Sequence, residues 1–215
     1  MNRQFEPSEL VIATDGTPYH IRIRPEALAD NVILVGDPAR VDLIAGKLDK
    51  VGDKTSNREI VSCKGEYKGK PITVLSTGMG VGCIDIVVNE LDICANVDLE
   101  KREPKPVHRS LNLIRIGTCG SLQDDLEVGT HVASAYAIGI DGLAYYYKGL
   151  EKINDEKLIE QFLKQTSWDK KLPYPYAVKA DNELLSRIAS DTHKGITITA
   201  PGFYAPQGRQ IGLQT

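Results

Sequence analysis

Long apolar runs are missing from this 215-residue chain, and no stretch approaches the ~20 residues that a membrane-spanning helix needs. The opening Met1-Asn2-Arg3-Gln4-Phe5-Glu6 also lacks the pattern of a secretory signal, so neither a membrane nor an export route is expected. Cysteine is scarce. The four present, Cys63, Cys83, Cys94 and Cys119, show no CxxC spacing and sit mostly in apolar segments, which argues against a disulfide framework or a zinc site. They read as small buried hydrophobes in a reducing cytoplasm. His108, His131 and His193 have no metal-ligand spacing, and no metal is expected. A strong charge of one sign is absent too. The net charge of −3 gives no whole-molecule attraction to nucleic acid, so any anion site must be local. No internal repeat is visible.

What remains is an ordinary globular composition, 41% hydrophobic and 26% charged. The length suits one α/β domain spanning 1–215, with residues 1–30 as a polar, proline-interrupted arm. Val32–Val35 reads as a buried strand, and Pro38–Leu48 as a helix with proline in its first turn. Ile60–Tyr67 and Pro71–Ser76 form a hairpin about Lys68-Gly69-Lys70. Gly82–Val97 is helical, with Ile84, Val87, Val88, Leu91 and Cys94 on one face. Asp98–Arg109 is a charged, proline-containing stretch that reads as a solvated loop. Strands follow at Leu111–Ile116, His131–Ile138 and Gly195–Thr199. Helices are expected at Asn154–Lys164 and Asn182–Asp191, with a loop over Trp168–Tyr176. Alternating strands and helices predict a mixed or mostly parallel sheet with helices on both faces. The chain stops sixteen residues after its last expected strand, so a C-terminal part is expected to be missing.

Three of these strands end in glycine, two of them with an arginine close by. Val32-Ile33-Leu34-Val35 runs into Gly36-Asp37-Pro38-Ala39-Arg40, and Leu113-Ile114-Arg115-Ile116 into Gly117-Thr118-Cys119-Gly120. Ile72-Thr73-Val74-Leu75 runs into Ser76-Thr77-Gly78-Met79-Gly80-Val81-Gly82 before a helix. A glycine at a strand end leaves backbone N–H groups open to a ligand. The planar fork of arginine suits phosphate better than a lysine point charge does. Three such ends on one sheet would surround a single oxyanion. Arg115, inside an apolar strand, calls for a bound anion or a carboxylate partner, because an unpaired buried guanidinium is costly. Taken singly, Arg40 could be a surface ion-pair partner, Arg58 could pair with Glu59 or Glu66, His20 could be an ordinary surface histidine, and Phe203 and Tyr204 could anchor a loop.

In order along the chain, Gly36-Asp37-Pro38-Ala39-Arg40-Val41, Asn57-Arg58-Glu59, Ser76-Thr77-Gly78-Met79-Gly80, Arg115-Ile116-Gly117-Thr118-Cys119-Gly120 and Phe203-Tyr204-Ala205-Pro206-Gln207-Gly208-Arg209 resemble the nucleoside phosphorylase family, and within it the uridine phosphorylases. The resemblance implies an α/β fold around a distorted mixed barrel, assembled as dimers within a larger ring, usually a hexamer. It implies reversible phosphorolysis of uridine to uracil and ribose 1-phosphate, a step of pyrimidine salvage, with phosphate as co-substrate and no cofactor. Gly36, Arg40, Arg115 and Thr118 match the family's phosphate site, and Arg58 matches an arginine lent to it by the neighbouring subunit. His20 matches a histidine reaching the neighbour's ribose 5′-hydroxyl. Phe203 matches an aromatic over the nucleoside, and Gln207 and Arg209 the pair that reads uracil. Arg115, Gln207 and Arg209 are thus the candidate catalytic residues. The family's Glu-Met-Glu ribose segment has no match in these 215 residues. Some members hold a monovalent cation between a glutamate matching Glu59 and a serine; Cys83 stands at the serine position, and a thiol is a poor ligand for a hard cation.

Other functions remain to be weighed. A purine nucleoside phosphorylase would share the phosphate site, but Gln207 and Arg209 complement a pyrimidine imide. A nucleosidase using water would need no arginine cluster. A catalytically inactive nucleoside-binding relative is the third alternative.

Overall fold

A computed structural model describes residues 3–213, which form two compact units that divide after Cys119. The first is built on a five-stranded mixed sheet. Its elements are β1 (Asn31–Val35), α1 (Ala39–Ala45), β2 (Lys50–Asn57), β3 (Ile60–Tyr67), β4 (Lys70–Ser76), α2 (Val81–Asn96), β5 (Val97–Asp98), β6 (Glu103–Pro104) and β7 (Asn112–Ile116). Strand order is β2-β3-β4-β1-β7. The β2-β3-β4 meander is antiparallel, while β1 lies between β4 and β7 and runs parallel to both.

Alternation along the strands sorts the core into two layers. Val32 and Leu34 of β1 join Ile60, Leu75 and the α2 residues Val87, Leu91 and Cys94 on one face. Val35 joins Val61, Cys63, Val74 and the α1 residues Val41 and Ala45 on the other. Each helix therefore covers one face of the sheet, as expected from the near-continuous apolar reading of β1 and β4. The amino-terminal arm is part of this core: Ile21, Ile23 and Leu28 are buried against α2. The charged 98–109 stretch is also tied down, contrary to its reading as a solvated loop. It forms the β5–β6 pair, Arg102 Nε donates to the Phe5 carbonyl at 3.1 Å, and Arg109 donates to Asp30 and to the Leu28 carbonyl, each at 2.6 Å.

The second unit contains β8 (Val132–Gly139), α3 (Glu156–Thr166), β9 (Tyr176–Lys179), α4 (Asn182–Ile188) and β10 (His193–Thr199). Its sheet order is β10-β8-β9, parallel on one side of β8 and antiparallel on the other. Ile159 of α3 packs with Ile138, Ile140 and Ala177 beneath Phe162 and Trp168. Asp155 and Asp181 cap α3 and α4 by accepting from Leu158 N and Leu184 N. The mixed α/β class with helices on both faces of a sheet holds. The distorted barrel does not: among the described residues the strands form open sheets, and none closes on itself.

Candidate active site

The strand pairing brings three carboxyl ends to one edge of the first sheet. Val35 is opposite Ser76 on one side and Ile116 on the other, so Gly36, Thr77 and Gly117 follow at the same level. This edge is where open α/β sheets receive ligands. Thr77, fully buried, donates its N–H to the Val35 carbonyl at 2.8 Å and so carries the ladder to the last residue of β1. The buried Ser76 hydroxyl accepts from Val61 N at 2.7 Å and donates to the Glu59 carbonyl at 2.8 Å, which pins the β2–β3 turn beside the β4 end.

Beyond the last paired residues the backbone turns through glycine. Gly78 and Gly80 have φ of +72° and +91°, the left-handed region that glycine adopts without strain. Gly80 starts α2 with no side-chain cap, leaving the first amides of that helix without a side-chain acceptor. Arg115 folds back over this edge. A Cβ on Gly36 would lie 3.7 Å from its Nη2 and 3.8 Å from the Gly78 carbonyl, and one on Gly117 would collide with the guanidinium. Gly36, Gly78, Arg115 and Gly117 are thus gathered in one small space.

Arg115 is exposed, which corrects its reading as a buried guanidinium. β7 is an edge strand, so its side chains are covered less than those of β1. Among the described residues Arg115 has no carboxylate partner, and neither does Arg40 in the first turn of α1. Thr118 follows Gly117 and is exposed. Arg58, with φ of +56° in the β2–β3 turn, pairs with neither Glu59 nor Glu66; its guanidinium lies 5.9 Å from the Tyr19 ring centroid. Glu59 instead packs on Gly78, and Cys83 Sγ donates to its Oε1 at 3.6 Å. Burial, then the hydrogen bond to Glu59 and its charge, push the Cys83 thiol above its usual range. A protonated thiol bonded to the carboxylate does not fit a hard monovalent cation.

His20 is half-buried and is not an ordinary surface histidine. Its Nδ1 lies 2.6 Å from Glu90 Oε1, and Asn57 Nδ2 donates to its carbonyl at 2.9 Å. Glu90 had no signal in the sequence, because the His20–Glu90 contact joins positions 70 residues apart.

In the second unit Phe203, Gln207 and Arg209 come together. Arg209 Nη1 donates to Gln207 Oε1 and to the Phe203 carbonyl, each at 2.6 Å, and its guanidinium lies 4.0 Å from the Phe203 ring centroid. Phe203 and Tyr204 are 60% and 58% exposed, so they do not anchor this loop to a core.

Comparison with known proteins identifies the family. A family model described as the phosphorylase superfamily matches residues 30–213. Uridine phosphorylase of Thermococcus kodakarensis is 28% identical over 214 residues, 97% of this chain and 64% of that protein. Uridine phosphorylase of Klebsiella aerogenes is 30% identical over 193 residues, 89% of this chain and 64% of that protein. A DeoD-type purine nucleoside phosphorylase of Bacillus thuringiensis is 38% identical over 110 residues, 51% of this chain and 41% of that protein. Among solved structures, the Trypanosoma brucei nucleoside phosphorylase that shows uridine phosphorylase activity superposes with a TM-score of 0.79 at 29% identity, covering 94% of this chain and 72% of its own. The chain spans 64% of the length of the two uridine phosphorylases. With glycine-ended parallel strands meeting at one edge and a family match over nearly all the described residues, this chain belongs to the phosphorylase superfamily.

Proposed function

We propose that the chain acts as a uridine phosphorylase, a cytoplasmic enzyme of pyrimidine salvage that converts uridine and phosphate to uracil and ribose 1-phosphate. One observation carries the reading: Gly36, Gly78, Gly117 and an arginine without a carboxylate partner among the described residues share one end of the parallel strands β4, β1 and β7. Arg40 and Arg115 hold the phosphate dianion, with Arg58 contributed by a neighbouring subunit, while Gly36 N–H and the Thr118 hydroxyl orient it. Phosphate is the co-substrate and no cofactor takes part. As the glycosidic bond breaks, its electron pair leaves with uracil and positive charge gathers on the sugar, as in glycoside cleavage. The dianion stabilises that charge, and one of its oxygens then bonds to C1′. Arg209 donates to a uracil carbonyl as the base becomes anionic, an oxyanion-hole role worth about 2.7–4 kcal/mol per donor in other enzymes. Gln207 supplies both an acceptor and donors for the remaining imide edge. Phe203 covers the nucleoside, and the functional assembly is a homo-oligomer, a hexamer with shared sites.

The likeness of 110 residues to a purine nucleoside phosphorylase makes inosine and adenosine the competitors to test. Uracil offers an acceptor–donor–acceptor edge that a carboxamide beside a guanidinium satisfies. Cytosine places an amine against donors, leaving unsatisfied groups at about 1–3 kcal/mol each. Values of kcat/KM for uridine, cytidine, inosine and adenosine on the full-length protein decide it. Uridine should lead clearly; preference for either purine nucleoside would replace the uridine assignment and leave the phosphate site standing.

A further inference from the structure

We infer that Glu90 is the positioning residue for His20, setting which ring nitrogen carries the proton and so what the histidine can do for a ribose hydroxyl; the second half rests on the proposed function. Glu90 sits on α2 with its side chain only 12% exposed, and its carboxylate gathers three N–H groups of the arm. His20 N and Ile21 N donate to Oε2 at 2.9 and 2.8 Å, and His20 Nδ1 lies 2.6 Å from Oε1. Ile21 is 1% exposed and packs in the same cluster as Val87 and Leu91, which flank Glu90 on the helix. The arm is therefore held to α2 by apolar packing and by the carboxylate together. From the other side, Asn57 Nδ2 donates to the carbonyls of His20 and Tyr19 at 2.9 and 3.2 Å. The Tyr19 ring stands edge-on to the imidazole, 5.0 Å between centroids.

A carboxylate accepts hydrogen bonds and cannot donate them, so the proton must sit on Nδ1. In its neutral form the imidazole then presents a lone pair at Nε2, the one polar atom of His20 with no hydrogen-bond partner among the described residues. In that form Nε2 is an acceptor, and the group it recognises donates. On the proposed reading that group is the 5′-hydroxyl of a nucleoside in the neighbouring site, and Glu90 selects nucleosides that keep a donor there. Carboxylate–histidine pairs of this kind orient metal-bound imidazoles by the same logic.

Glu90→Gln preserves size and tests the tautomer. The amide oxygen is needed by the two backbone N–H groups, so the amide N–H₂ faces Nδ1, which must become an acceptor. Nitrogen-15 spectra of the full-length protein, recorded on neutral imidazole and assigned by loss of the signal in His20→Ala, should show the His20 proton on Nδ1 in the wild type and on Nε2 in Glu90→Gln. A wild-type proton on Nε2, or no change in Glu90→Gln, overturns the inference. Steady-state kinetics then read the consequence. Glu90→Ala should raise KM for uridine about tenfold more than KM for 5′-deoxyuridine, which offers His20 nothing. Equal effects on the two substrates would reduce Glu90 to a structural role. If the wild type cleaves no nucleoside, the proposed function fails, while the tautomer spectra still decide the placement of the proton.

Discussion

At the scale of single residues, the proposed phosphate site depends on glycines for two different reasons, and substitution separates them. A Cβ on Gly36 meets Arg115 and Gly78 at ordinary contact distance, so Gly36→Ala should fold normally. Its methyl group would nevertheless occupy the space assigned to the anion. A Cβ on Gly117 collides with the Arg115 guanidinium, which must then move. Both variants should keep their melting temperature within a few degrees and raise KM for phosphate. Arg115→Ala should raise it about tenfold to a hundredfold, the equivalent of one lost charged hydrogen bond of about 1.5–3 kcal/mol. Measuring KM for phosphate at saturating uridine checks all three. An Arg115→Ala enzyme with unaltered phosphate dependence would remove Arg115 from the site.

At the scale of elements, α2 is the central support, because it closes one core layer and carries Glu90. Leu91 is fully buried on it, so Leu91→Ala should destabilise the fold by about 2–5 kcal/mol in urea unfolding. Leu43 on α1 is 70% exposed, and Leu43→Ala should change stability by less than about 0.5 kcal/mol. The cysteines report the same layering. Burial pushes the Cys94 thiol up to about 12, and Cys63 is buried on the opposite layer, whereas Cys119 is exposed. A thiol reagent at neutral pH should therefore label Cys119 first and reach Cys63 and Cys94 only on unfolding. The helical period of α2 and the apolar runs of β1 and β4 were legible in the sequence because burial alone dictates them. β2 was not, since Lys50–Asn57 is a mostly exposed edge strand without apolar alternation. β9 was hidden by its four-residue length after a proline-rich stretch. Among site residues, the local motif pointed to Gly36, Arg115 and Gly117, and Phe203, Gln207 and Arg209 lie close enough in sequence to meet in one loop. The exposure of Arg115 and the Glu90–His20 contact depend on which strand is at the edge and on packing across 70 positions, neither of which a local pattern encodes.

At the scale of the whole molecule, the account assigns His20 to one subunit and Arg115 to another at each site. His20→Ala and Arg115→Ala proteins, each impaired alone, should therefore recover activity when their subunits exchange, because some hybrid sites contain neither lesion. Exchange confirmed by mass without recovered activity would show that sites are not shared. Among the described residues no helix is long and apolar enough to cross a membrane. The central claim is that phosphate, rather than water, takes the sugar. The most direct measurement incubates the full-length protein with uridine, with and without inorganic phosphate, and quantifies uracil and ribose 1-phosphate. The account predicts equal amounts of both products with phosphate and negligible uracil without it; uracil released at the same rate in the absence of phosphate, with free ribose as the partner product, would contradict it.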